Sequence, residues 1–164
     1  MVVVDSFRFL PRSFRPLYES PSPPPGETAD PVWAPVSKRL SELTVTLLSS
    51  AGFYLEGSQE PFDLEKERAN PTWGDPSWRP IPASGGRLRV SHLHISAGDL
   101  EEDPEIALPR ARLAELASVG MIAGSAETHV SVMGFQDRDL REWLGATASQ
   151  ILELGPEAMV LAPA

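Results

Sequence analysis

The 164-residue sequence contains no cysteine. Within these residues there is therefore no disulfide framework, no thiolate nucleophile and no cysteine-ligated metal. It also lacks any apolar run of the roughly 18 residues needed to cross a bilayer. The opening Met1-Val2-Val3-Val4 is interrupted at once by Asp5 and Arg8, which is too short for the core of a signal peptide. Absence of disulfides suits a reducing compartment, and the cytoplasm is the expected location. Basic side chains are few as well. Fourteen of them against twenty-three acidic ones leave a net charge of −9, which repels a phosphate backbone and argues against nucleic acid as a general partner. No Ser-His-Asp order, Walker loop, dinucleotide fingerprint or zinc-protease motif is present.

Proline, by contrast, is abundant. The 17 prolines concentrate in the first half, at Pro11, Pro16, Pro21, Pro23 to Pro25, Pro31 and Pro35 and then at Pro71, Pro76, Pro80 and Pro82, so that half is expected to be rich in loops. Residues 5 to 20 alternate aromatic and arginine side chains, a surface that docks against its own protein or a partner subunit. Residues 20 to 31, centred on Pro23-Pro24-Pro25-Gly26, read as a polyproline linker. Residues 1–30 thus form a proline-rich irregular arm ahead of a region from 31 to 164.

Regular structure is expected to begin at Leu43 to Ser50, whose nearly continuous β-branched and apolar run suits a strand covered on both faces. Ser49-Ser50-Ala51-Gly52 then makes a small-residue turn at its carboxyl end. From Gly57 to Gly86 the acidic residues, tryptophans and prolines show little period and read as a long excursion. Arg87 to Ile95 is a second strand candidate. Pro109 to Val119 carries Leu113 and Leu116 at helical spacing and is closed by Gly120. Met121 to Ala126 leads into a strand or strand end from Glu127 to Gly134. Asp139 to Leu154 has the stripe Leu140, Trp143, Leu144, Ile151 and Leu154 of a helix, stopped by Gly155-Pro156. Glu157 to Ala164 reads as a buried strand running into a turn. The order predicts an α/β domain with a largely parallel sheet and flanking helices, and the strand so close to the last residue suggests an incomplete domain.

Three histidines are the visible candidates for chemistry. His92 and His94 lie two apart and would share a face if their segment is extended, while His129 could meet them only through the fold. They could bind a metal, but no carboxylate accompanies them at a motif spacing, so a core or an anionic substrate pocket is expected for them, with no metal site. Asp99, Glu101, Glu102, Asp103 and Glu105 read as a solvated acidic face.

Several blocks in succession resemble the selenoprotein B family of the glycine, sarcosine, betaine and D-proline reductases. They are Pro31-Val32-Trp33-Ala34-Pro35 with Thr44-Val45-Thr46-Leu47-Leu48-Ser49-Ser50-Ala51-Gly52, then Gly74-Asp75-Pro76-Ser77-Trp78-Arg79-Pro80-Ile81-Pro82 and Val90-Ser91-His92. Leu108-Pro109-Arg110-Ala111-Arg112-Leu113-Ala114-Glu115-Leu116, Thr128-His129-Val130-Ser131-Val132-Met133-Gly134 and Ala158-Met159-Val160-Leu161-Ala162-Pro163 come after them. No single block is specific; the succession is. In that family a loop bearing selenocysteine or cysteine follows the strand matching Met159 to Pro163, so the resemblance implies a truncated selenoprotein whose nucleophile lies just after Ala164.

The resemblance further implies reductive cleavage of the C–N bond of an amino acid or N-methylated glycine. A pyruvoyl group on a partner subunit would activate the amine, a selenolate would attack the α-carbon, and a dithiol would close the cycle. Substrate-binding roles are expected for His92, His129, Ser50 and Gly52. The chain alone would be inactive, and a homo-oligomer is a further expected association beside the pyruvoyl-bearing subunit. From a different class comes the alternative of a non-catalytic α/β binding or scaffold protein that lacks the redox residue.

Overall fold

The computed structural model describes residues 34–70, 73–133 and 141–164. The aromatic arm, the polyproline linker and the stripe positions Leu140, Trp143 and Leu144 lie outside the described residues or side chains. The chain divides into residues 1–36 and 37–164, and the described strands and helices all belong to the second unit.

Its central strand is β1, Thr44–Ser49, with Val45, Leu47 and Ser49 buried on one face and Thr46 buried on the other. Two parallel strands flank it. On one side β7, Ala158–Ala162, pairs with it in unbroken register from Val45↔Ala158 to Ser49↔Ala162. On the other side the partner is interrupted. β5, Gly124–Ser125, pairs with Thr44 and Val45, and β6, Thr128–Val132, pairs with Leu48 and Ser49. Thr44 faces Gly124 but Leu48 faces Val130, so extra residues are inserted at Ala126 and Glu127 and the ladder bulges there. β3, Trp78–Pro82, closes this side antiparallel to β6.

The parallel strands therefore stand in the order second, first, third along the chain: β6, β1, β7. Their connections cover opposite faces. Between β1 and β6 the chain forms β2, Phe53–Leu55, and α1, Leu64–Ala69, then β3, then β4, Leu88–Val90, α2, Ala97–Glu102, and α3, Arg110–Ser118. β2 and β4 make a separate antiparallel pair, and Phe53, Leu88, Val90, Leu100, Leu108 and Leu113 pack with Val45 and Leu47 in one core. Between β6 and β7 lies α4, Arg141–Glu153, whose Gln150 accepts a hydrogen bond from the Trp78 indole at 2.9 Å. Trp78 is aligned with Val132, on the sheet face away from that core. Helices on both faces of a mostly parallel sheet make this an α/β fold. Among the described residues no helix is long and apolar enough to cross a membrane.

The structure departs from the sequence reading at several points. The excursion from 57 to 86 contains α1, capped by the Asp63 carboxylate on Lys66 N–H, and β3, a strand holding Pro80 and Pro82. Prolines are tolerated there because β3 lies at a sheet edge. The Arg87 to Ile95 strand shrinks to three residues outside the parallel sheet, and beyond it the backbone turns, so that the His94 N–H donates to His92 Nδ1 at 3.0 Å. β7 forms where expected but is not buried: Val160 is 49% and Leu161 66% exposed. Its only described strand partner is β1, so among the described residues no strand lies along its outer side.

The acidic run is also more than a solvated face. The Glu105 carboxylate accepts from Ala111 N–H and Arg112 N–H in the first turn of α3, and Glu101 accepts from Val90 N–H and pairs with Arg89. Gly120, at φ +72°, closes α3 in the left-handed conformation.

Candidate functional site at the carboxyl edge of the sheet

In a sheet of order second, first, third, the connections from the middle strand and from the third strand leave on opposite faces, opening a crevice at the carboxyl ends of those two strands. In this sheet the corresponding position is the carboxyl end of β1 and β7. The Ser50 N–H donates to the Ala162 carbonyl at 3.3 Å, and the Ser50 hydroxyl accepts from the Ala164 N–H at 2.9 Å. The turn after β1 and the chain leaving β7 are thus tied together. The register is set at the other end of β7, where Glu157 accepts from the Thr44 N–H at 2.7 Å and pairs with Lys38.

Gly52 completes the turn at φ +69°, a region that costs a side-chain-bearing residue about 1–2 kcal/mol. A Cβ there would lie 2.1 Å from the Ser91 carbonyl oxygen. The glycine therefore admits a neighbouring backbone, not a ligand: Gly52 N–H donates to the Val132 carbonyl at 3.0 Å and Ser91 N–H to the Gly52 carbonyl at 2.9 Å. This contact carries His92 toward the same edge. His92 is half-buried, and burial, with the nearby His94 second, pushes its imidazole below the usual value. With Nδ1 accepting from His94, the neutral ring has Nε2–H as its donor.

His129 has a different setting. It is fully buried at the bulge, where the interrupted β5–β6 ladder leaves the Leu47 N–H facing a side chain in place of a carbonyl. That N–H donates to His129 Nδ1 at 3.2 Å, and His129 Nε2 meets the Ser125 hydroxyl at 3.3 Å. Both ring nitrogens are used inside the sheet. Burial, assisted by the Arg110 charge, pushes its pKa down to about 4, so the ring is neutral at physiological pH. The structure places Ser50, Gly52 and His92 along the carboxyl edge and His129 within the sheet between β1 and β6.

The sequence reading noticed Ser49 in the turn but missed two further polar residues beneath that edge, Ser131 and Asp75. Ser49 and Ser131 are opposite one another in register, both fully buried; the Ser49 hydroxyl accepts from Ala51 N–H, and among the described residues the Ser131 hydroxyl has no hydrogen-bond partner. Serine between Val130 and Val132 was the available signal. Asp75, beside Met133 at the end of β6, accepts from Asp63 N–H, Ser77 N–H and the Ser77 hydroxyl. Burial raises its carboxyl, but those hydrogen bonds outweigh burial and hold it below the ordinary range.

A cavity of about 300 Å³ lined by Thr44, Thr46, Glu127, Thr128 and Leu154 opens at the opposite, amino-terminal end of the strands. Among the described residues no group of three or more His, Asp or Glu side chains is arranged to hold a metal ion.

No family model matches the chain, and no solved structure matches it. It is 32% identical over 139 residues to D-proline reductase subunit gamma of Acetoanaerobium sticklandii, an alignment covering 82% of this chain and 54% of that protein. The chain spans about half the length of the curated relative it matches. Over most of its own length, it is related in sequence to a subunit of D-proline reductase.

Proposed function

We propose that the chain is part of a reductase component of the selenoprotein B type, which cleaves the C–N bond of D-proline or a similar amino acid with dithiol reductant. The observation that carries this reading is the bond between Ser50 and Ala164. It sets the polypeptide leaving β7 against the small-residue turn of β1, at the crevice where α/β sheets bind ligands. The relationship to a D-proline reductase subunit supplies the reaction class.

In this reading the nucleophile is a selenocysteine or cysteine beyond Ala164, since residues 1–164 contain neither a thiol nor a selenol. A pyruvoyl group on a partner subunit would supply the electron sink at the substrate amine. This chain's own residues build the floor and one wall of the crevice. Ser50 orients the chain that leaves β7, Gly52 lets the Ser91 segment approach, and His92 presents its Nε2–H to a substrate carboxylate. His129 acts by holding β6 to β1, which keeps that edge in register.

Expression of the protein extended past codon 164 with selenocysteine, together with the pyruvoyl-bearing partner, should give dithiol-dependent consumption of D-proline. The 164-residue chain should give none. Failure of the extended, selenocysteine-containing protein to consume D-proline beside its partner would favour the scaffold reading, which rests on the missing cysteine.

A further inference from the structure

The outer side of β7 is out of keeping with the rest of the sheet. An edge strand offers a row of unpaired N–H and C=O groups, and proteins protect such rows with prolines, charges or a covering element. β3 does so with Pro80, Pro82 and Arg79. β7 consists of Ala158, Met159, Val160, Leu161 and Ala162, without a charge or a proline. Successive side chains point to opposite faces, so with Val160 49% and Leu161 66% exposed, both faces of the strand are apolar and open. The strand is nonetheless held firmly, by its register with β1 and by Glu157 at its start.

We infer that the open edge of β7 receives a further parallel strand, supplied by polypeptide equivalent to the part of the D-proline reductase subunit that this chain does not match. Two independent observations select this occupant. Sheets whose parallel strands run second, first, third continue outward from the third with a fourth and fifth, so the place beyond β7 is the next position to fill. The relative also has a large share of its length outside the alignment, which covers 54% of it, enough for additional strand and helix units. Val160 and Leu161 then become interior residues covered on both faces, as expected of a buried parallel strand.

The test uses the 164-residue chain and, as probe, the unmatched part of the A. sticklandii subunit expressed separately. Hydrogen exchange at the β7 amides and sedimentation are read with and without the probe. The chain alone should be monomeric, with low protection at the outward-pointing β7 amides that do not bond to β1, and should bind an apolar dye. The probe should raise protection of those amides by about tenfold or more and suppress the dye signal, and Leu161→Lys should abolish both effects without unfolding the chain. Protection of the outward-pointing β7 amides in the isolated monomer would overturn the inference by showing the edge already covered, residues 1–33 included. Protection that appears only with dimerisation would overturn it by assigning the edge to a second copy. An unprotected β7 that the probe leaves unchanged would overturn it equally. None of these readouts involves turnover, so the edge and the proposed reductase chemistry can fail separately.

Discussion

The two flanks of β1 solve the same pairing problem in different ways. On the β7 side the ladder is continuous, apolar and open to solvent beyond the strand. On the β5–β6 side it is interrupted, lined with buried polar groups, and closed by a proline-bearing strand. One flank is held by backbone register and the other by a side chain, His129, standing in for a missing carbonyl. Stability should therefore concentrate on the interrupted flank and association on the continuous one.

The largest expected effect comes from removing that side chain. His129→Ala leaves the Leu47 N–H without its acceptor and opens a cavity in a fully buried site, for a combined loss of about 4 kcal/mol. Chemical denaturation should show it, and a loss below about 1 kcal/mol would mean the bulge closes without the ring. His129→Gln, which keeps an acceptor, should recover part of the loss.

Acid should weaken the same flank without mutation. The folded His129 titrates at about 4, below the ordinary histidine value of about 6.5, so the unfolded chain takes up its proton first as pH falls. Its contribution is fully present above the ordinary value and is lost between about 6.5 and 4, on the order of 3 kcal/mol. Stability measured across that window should be flatter in His129→Gln than in the native chain. Glu67 works in the opposite direction, because burial raises its carboxyl above the ordinary value despite the neighbouring His94. Its protonated form favours the folded state, and that contribution fades as pH rises through the raised value.

Gly52→Ala tests the turn where the two flanks meet. The left-handed backbone costs a side chain about 1–2 kcal/mol, and the Ser91 backbone cannot yield like a flexible side chain to a Cβ at 2.1 Å. A loss of about 3 kcal/mol is expected, with faster hydrogen exchange at Ser91 reporting that the β4 end has been pushed away. A neutral substitution would show that the turn has another conformation available.

Much of this fold is legible in the sequence, and the omissions have identifiable causes. Apolar periodicity marks β1, α3, α4 and β7, and Gly120 and Gly155, both of which take positive φ, mark where the two helices stop. β3 is invisible because Pro80 and Pro82 read as loop signals unless the strand is known to lie at an edge. β7 reads as buried because an apolar run looks the same whether or not a neighbour covers it. At the site, Ser50 and Gly52 stand out from their place after a strand, whereas the role of His129 depends on an inserted pair of residues in the β5–β6 ladder. Ladder register is a tertiary fact that no local pattern contains.

On the continuous flank, Leu161→Lys should barely change the stability of the isolated chain, within about 0.5 kcal/mol, because its side chain is 66% exposed. Dye binding should fall, and so should capture of the unmatched part of the relative. A clear destabilisation would place Leu161 in a folded contact, making the two flanks alike.

The smallest effect is expected where β7 begins. Glu157 accepts from the Thr44 N–H and pairs with Lys38, and the Lys38 hydrogen bond first, then the Thr44 N–H, hold its carboxyl below the ordinary value. Glu157→Gln keeps an oxygen for Thr44 and removes only the exposed ion pair, whose attraction water and salt already screen. The native chain should therefore melt slightly above the variant at low ionic strength and near neutral pH. The gap should close in high salt, and also as pH falls through the depressed carboxyl value, where the native side chain becomes protonated. A gap that persists in high salt would mean that the charge, and not the backbone register, fixes where β7 starts, and the continuous flank would then depend on a side chain as the interrupted one does.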